Sequence, residues 1–137
     1  MKKIYDAELI KYIALFESIG RVSIKDIFQY NGMLCCVVDK DKVSTLIGAH
    51  GAKIKKIQNM IKKRVKVVGY SSDLKEFVKD FIYPIEADSV EEDNGDLIIS
   101  CKDSRTKGLL IGRGRQGLFN LHKVVTRYFK INDIKVK

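Results

Sequence analysis

Apolar residues recur along the chain with two different periods, and the places where the period changes mark out the elements. Leu9, Tyr12, Ile13 and Phe16 follow the i, i+3, i+4, i+7 spacing of one helical face, and Leu74, Phe77, Val78 and Phe81 repeat it. Asn31-Gly32 and Asn94-Gly95 each sit between strand-like runs and predict tight hairpins. The hairpins are read as residues 22–28 with 33–38, and 85–90 with 97–101. The unbroken apolar run from Met33 to Val38 predicts a central strand, because a strand with one wet face would alternate. Gly20 is read as the end of the first helix. Further on, Ile54, Ile57 and Ile61 mark another helix, as do Leu118, Leu121 and Val125, and residues 65–68 and 134–136 read as closing strands.

These elements form an internal repeat. Leu74 follows Leu9 by 65 residues, Asn94 follows Asn31 by 63 and Gly112 follows Gly48 by 64. Asp39 matches Asp103, and Leu46-Ile47-Gly48 matches Leu110-Ile111-Gly112. Each half reads helix, strand, strand, short helix, glycine loop, long helix, strand, so the predicted fold class is α+β in two tandem modules, residues 1–70 and 71–137. Gly69-Tyr70-Ser71-Ser72 is read as the linker.

Composition adds a preference for anionic partners. Across 137 residues, 26 Lys and Arg face 17 Asp and Glu, giving +9 and a pI near 9.5. Met1-Lys2-Lys3 resembles the start of a signal peptide, but Asp6 and Glu8 interrupt the apolar run that must follow, and no stretch approaches 18 apolar residues. A soluble, cytoplasmic protein without a membrane partner is expected. Cys35, Cys36 and Cys101 have no metal-ligand spacing, and adjacent strand residues point to opposite faces, so reduced, buried cysteines are expected. No catalytic constellation, metal site, cofactor or small-molecule substrate is expected.

The candidate chemistry lies in two glycine loops. Ile47-Gly48-Ala49-His50-Gly51 opens a helix carrying Lys53, Lys55 and Lys56, followed by Lys62, Lys63, Arg64 and Lys66; no acidic residue falls between Asp41 and Asp73. Glycines let a phosphate approach the backbone, and the helix start supplies N–H donors and a favourable dipole. Gly48, Ala49, His50 and Gly51, assisted by Lys53 and Lys56, are the first candidate phosphate grip. Gly112, Arg113, Gly114 and Arg115 are the second. Gly112-Arg113-Gly114-Arg115-Gln116-Gly117 also matches the dinucleotide-binding pattern Gly-x-Gly-x-x-Gly. That pattern needs a strand just before it, a helix and strand after it and an acidic residue about 20 positions further on; here the preceding segment reads as a short helix, Asp133 is the only acidic residue after the loop, and the sequence given runs only to Lys137. Arg115 is expected to take ordinary helical dihedrals, and aspartates at Gly48 and Gly51 to block the loop without disturbing the fold. Ile54 and Leu118 are expected in the core by their helical spacing, and His122 packed or half-buried on its helix.

Ile47-Gly48-Ala49-His50-Gly51-Ala52-Lys53-Ile54 resembles the core motif of K-homology (KH) domains. The position of the loop in each half, with helix and hairpin before it, resembles the prokaryotic, type II order α-β-β-α-α-β, in which a three-stranded sheet is packed by helices. Two such modules filling the chain, with a second loop reading Ile111-Gly112-Arg113-Gly114, resemble the archaeal NusA-like transcription factors. At the position where that family's second loop ends in Gly, this chain has Arg115. The resemblance implies single-stranded RNA, the nascent transcript, as ligand, RNA polymerase as a partner, and a role in transcription termination or antitermination. Two other readings stay open: a ribosome-associated or general RNA-binding KH protein, and a polymerase-binding adaptor with vestigial loops. The adaptor would use the acidic second hairpin, with Glu86, Asp88, Glu91, Glu92, Asp93 and Asp96.

Overall fold

The computed structural model describes residues 5–137, so Met1-Lys2-Lys3 lies outside the described residues. It divides into two compact units, Met1–Ser71 and Ser72–Lys137. In the first, the Asp6 carboxylate accepts the Leu9 N–H and opens α1, Ala7–Gly20. The helix runs through Gly20, and Arg21, at φ 57°, is the left-handed cap whose N–H donates to Glu17 O. Gly20 is small for a different reason: a Cβ there would collide with Leu46 Cδ1.

Strand β1, Asp26–Tyr30, pairs antiparallel with β2, Met33–Asp39, across Asn31 (φ 50°) and Gly32 (φ 75°). Two positive φ values in succession define the turn that matches strand twist, and Asn-Gly reaches them cheaply. The strand starts later than the apolar pattern predicts. Val22 is buried, but the Ile24 N–H is taken by the Glu17 carboxylate at 2.9 Å, and the ladder begins only at Asp26. After β2 come a 3₁₀ turn, Lys40–Lys42, then α2, Val43–Ile47, α3, Ala52–Ile61, and β3, Val65–Tyr70. β3 pairs parallel with β2, so β2 is the central strand, buried from Leu34 to Val38.

Gly69 and Tyr70 are therefore strand residues, opposite Val38 and Asp39, and do not belong to a linker. A Cβ on Gly69 would stand 3.1 Å from Lys40 Cα and from Val43 Cγ2, so the glycine permits the 3₁₀ turn to close over the strand. Phe16, Val22, Ile27, Leu34, Cys36, Val38, Leu46 and Ile57 form the core of this unit, with Ile54 packed against it.

The second unit repeats the plan. Asp73 caps α4, Leu74–Ile82; β4, Ser89–Asp93, pairs antiparallel with β5, Asp96–Ser100, across Asn94 (φ 51°) and Gly95 (φ 84°). Residues 85–88 are again not strand: the Ile85 N–H closes a turn on Ile82 O. Asp103 caps α5, Ser104–Ile111, through the Thr106 N–H, and those bonds hold its carboxyl below the usual range. α6, Gln116–Val125, leads to β6, Ile134–Val136, which pairs parallel with the central β5. Phe77 is fully buried, its ring 5.2 Å from Tyr128 and 5.5 Å from Phe129, centroid to centroid. The fold is thus two small α+β domains, each a three-stranded mixed sheet packed by helices.

All three cysteines are free and buried, and burial pushes the Cys35 thiol up to about 12. Among the described residues, no helix is long and apolar enough to cross a membrane, and no cluster of three or more His, Cys, Asp or Glu is placed to hold a metal ion.

Candidate nucleic-acid interface

Residues 48–51 join α2 to α3, residues 112–115 join α5 to α6, and the two segments trace the same backbone path. Gly48 lies at φ 80°, ψ 172° and Gly112 at 72°, 170°. His50 lies at 54°, 27° and Gly114 at 60°, 26°. Gly51 lies at 73°, 17° and Arg115 at 64°, 16°. In both loops the fourth residue's N–H turns back to the first residue's carbonyl, at 3.1 Å for Gly51 and 3.2 Å for Arg115. Three positions of each loop therefore need positive φ, and two glycines serve them. The first loop leaves His50 as the side-chain-bearing residue in the left-handed region; the second leaves Arg115.

Arg115 is thus not in the ordinary helical region expected from its place at a helix start. It occupies the backbone state in which Gly51 sits in the first loop. A side chain there costs about 1–2 kcal/mol, so Arg115→Gly is expected to stabilise the protein. After subtracting the extra freedom of glycine in the unfolded chain, the gain is about 0.5–1 kcal/mol. Arg115→Ala keeps the Cβ and gains nothing. Urea denaturation of the three proteins checks this; a less stable Arg115→Gly would contradict it.

The first loop position is more demanding. Its ψ near 170° at positive φ is essentially a glycine state, and a Cβ at Gly48 would lie 2.8 Å from Lys53 Cγ. Aspartate at Gly48 would therefore disturb the loop itself, contrary to the expectation of an intact fold. Gly51 is open, with Lys55 Cε the nearest atom at 3.8 Å.

Position 53 and its repeat partner 117 brace the loops from behind by different means. Lys53 Nζ donates to Thr45 O at 3.0 Å and to Gly20 O at 3.3 Å, tying the loop to two helices. Gly117 instead lets backbones meet: a Cβ there would collide with Leu110 O and stand 2.9 Å from Ile111 O. Among the other cations of the basic run, Lys63 lies 3.7 Å from Glu8, and Lys66 is half-buried with its ammonium pKa lowered by that burial. Lys55, Lys56, Lys62 and Arg64 remain exposed, as do His50, Arg113 and Arg115. Ile54 and Leu118 are packed inward, as their spacing predicts, and His122 is half-buried with Nε2 3.0 Å from Asn132 O.

The charge is unevenly shared. The first unit has 14 Lys and Arg against six Asp and Glu, net +8, whereas the second has 12 against 11, net +1. Much of the acidic hairpin is met by nearby lysines: Glu91 by Lys75 at 2.7 Å, Asp96 by Lys135 at 3.2 Å and Asp88 by Lys102 at 3.9 Å.

A cavity of about 550 Å³ opens beside the second loop, lined by Gly114, Arg115, Phe119, His122, Asn132 and Asp133 among others. Phe119 and Asn132 were not among the residues singled out from the sequence. The available signal was that Phe119 falls off the apolar face of Leu118, Leu121 and Val125, and its side chain is 57% exposed.

No protein-family model matches the chain. It is 25% identical over 136 residues to the probable transcription termination protein NusA of Thermoplasma acidophilum, covering 96% of this chain and 94% of that one. The protein of the same name from Methanocaldococcus jannaschii is 27% identical over 132 residues, covering 94% and 72% respectively. The crystal structure of APE1850 matches with a TM-score of 0.74 and 27% identity, over 97% of this chain and 100% of that one. In sequence along nearly its whole length and in fold, the chain is similar to the archaeal NusA-like proteins, and its two units are KH-like domains.

Proposed function

We propose that the protein binds single-stranded RNA with two KH modules, residues 1–70 and 71–137, and acts on nascent transcripts in transcription termination or antitermination, with RNA polymerase as protein partner. One observation carries this reading: two loops of different sequence, Gly-Ala-His-Gly and Gly-Arg-Gly-Arg, hold the same backbone dihedrals at the start of a helix. In one of them an arginine bears the strain of doing so. A local fold kept against strain marks a functional constraint on the backbone path.

In the first module Gly48, Ala49, His50 and Gly51 approach the phosphates, Lys56 contributes an exposed ammonium, and Lys53 holds the loop in place. In the second, Gly112 and Gly114 shape the path, and Arg113 and Arg115 supply charge-assisted contacts to phosphate oxygens. Each module spans about four nucleotides. The termination role is supported by the name shared by the relatives. The adaptor reading has less support, because three of the acidic hairpin's carboxylates are matched by lysines.

The test is competition between an RNA single strand and a duplex of the same sequence. Single strands are expected to bind at least about tenfold more tightly, because only splayed nucleotides thread a loop of this kind. Equal binding would overturn the proposal.

A further inference from the structure

We infer that the second module contains a base pocket in which a nucleobase stacks on Phe119, so that the two modules hold RNA by different physics. The inference rests on the RNA-binding reading above and adds a residue and a contact to it.

Four observations converge on the site. First, Gly114 and Arg115 belong both to the phosphate loop and to the wall of the 550 Å³ cavity, so a backbone seated on the loop delivers its base at the mouth. The volume lies within the range of small-ligand sites, about 300–1,000 Å³. Second, Phe119 lies one helical turn beyond Arg115, lines the cavity, and keeps 57% of its surface in solvent. Lys123 Nζ sits 4.8 Å from its ring centroid, over one face. A base on the open face would complete a sandwich.

Third, the far wall is held before any ligand arrives. The Asn132 N–H donates to Gly95 O at 2.7 Å, and His122 Nε2 lies 3.0 Å from Asn132 O, which ties α6 to the segment leading into β6. The missing Cβ of Gly95 makes room for the Asn132 amide, 2.7 Å from where that Cβ would stand. A wall fixed in advance lowers the ordering cost of binding. Fourth, the repeat offset of 64 places Lys55 where the second module has Phe119, and Gln58 where it has His122. The first module, at +8, can draw its affinity from charge. The second, at +1, has little net charge to add to Arg113 and Arg115 of its loop, and an exposed aromatic beside the loop supplies a further contact.

The test uses the full chain, an RNA single strand of about eight nucleotides, about four for each module, and copies of it carrying one abasic site at each position in turn. With the natural Phe119, one position is expected at which base removal weakens binding roughly tenfold, the scale of one base–aromatic stack. In Phe119→Leu that penalty should shrink below about twofold, and affinity for the intact strand should fall by the same roughly tenfold. Phe119→Tyr should restore both, and the salt dependence should stay unchanged throughout. A penalty that survives Phe119→Leu, or the absence of any sensitive position, overturns the inference while leaving the RNA reading intact. Failure of the natural protein to bind single strands would remove the RNA reading and this inference with it.

Discussion

Aspartate placed at both Gly51 and Arg115 is expected to lower affinity for single-stranded RNA by about a hundredfold or more while leaving the protein folded, at a cost of about 1–2 kcal/mol for the side chain added at Gly51. Both residues hold the fourth place of their loop, at φ 73° and 64°, and both are the cap from which α3 or α6 starts. Aspartate is among the residues that tolerate the left-handed region, and a carboxylate is favoured at a helix start by its unpaired N–H groups and dipole. At Gly51 there is space for the new side chain. At position 115 one side-chain-bearing residue replaces another. The same carboxylates would stand on the path of the phosphates. Losing one charge-assisted contact in each loop, at about 1.5–3 kcal/mol apiece, multiplies to at least about a hundredfold in Kd. Fluorescence anisotropy with labelled RNA, alongside thermal unfolding, separates the two effects. Retained binding by a folded double variant would show that the loops are not the grip.

The choice of Gly51 over Gly48 illustrates how far the sequence alone reaches. Four elements at a nearly constant offset of 63–65 residues identify the repeat, because periodicity reports which residues face a core, and the cores follow it through Phe16, Ile57, Phe77 and Leu121. The turns at Asn31-Gly32 and Asn94-Gly95 were legible because few dipeptides take two positive φ values. Strand starts were not. Val22 is apolar because it is buried, and burial carries no information about whether a backbone N–H is in a ladder or on Glu17. Gly69 and Ser71 share the composition of a linker, yet the first is a strand residue under a close turn.

The loops were the hardest case. Glycine marked them, but which position needs glycine depends on dihedral angles that a motif does not state. Residue chemistry placed Arg115 in the helical region; the repeat offset, which pairs it with Gly51, held the opposite answer. The charge of Lys53 points to a phosphate contact, and its ammonium instead braces the Thr45 and Gly20 carbonyls. Phe119 is legible only as an aromatic off the apolar face of Leu118, Leu121 and Val125, and that position does not say that a cavity lies beside it.

The central claim is that phosphates are gripped by these loops, and the most direct measurement is the salt dependence of binding to an RNA single strand. With about five phosphates contacted, log affinity should fall against log salt with a slope of roughly −3.5, a loss of about a hundredfold between 50 and 200 mM. Arg115→Ala removes one contact and should flatten that slope by about 0.7. A slope near −3.5 that becomes shallower in Arg115→Ala is the result predicted; a flat response, or a steep one that Arg115→Ala leaves untouched, would contradict the account.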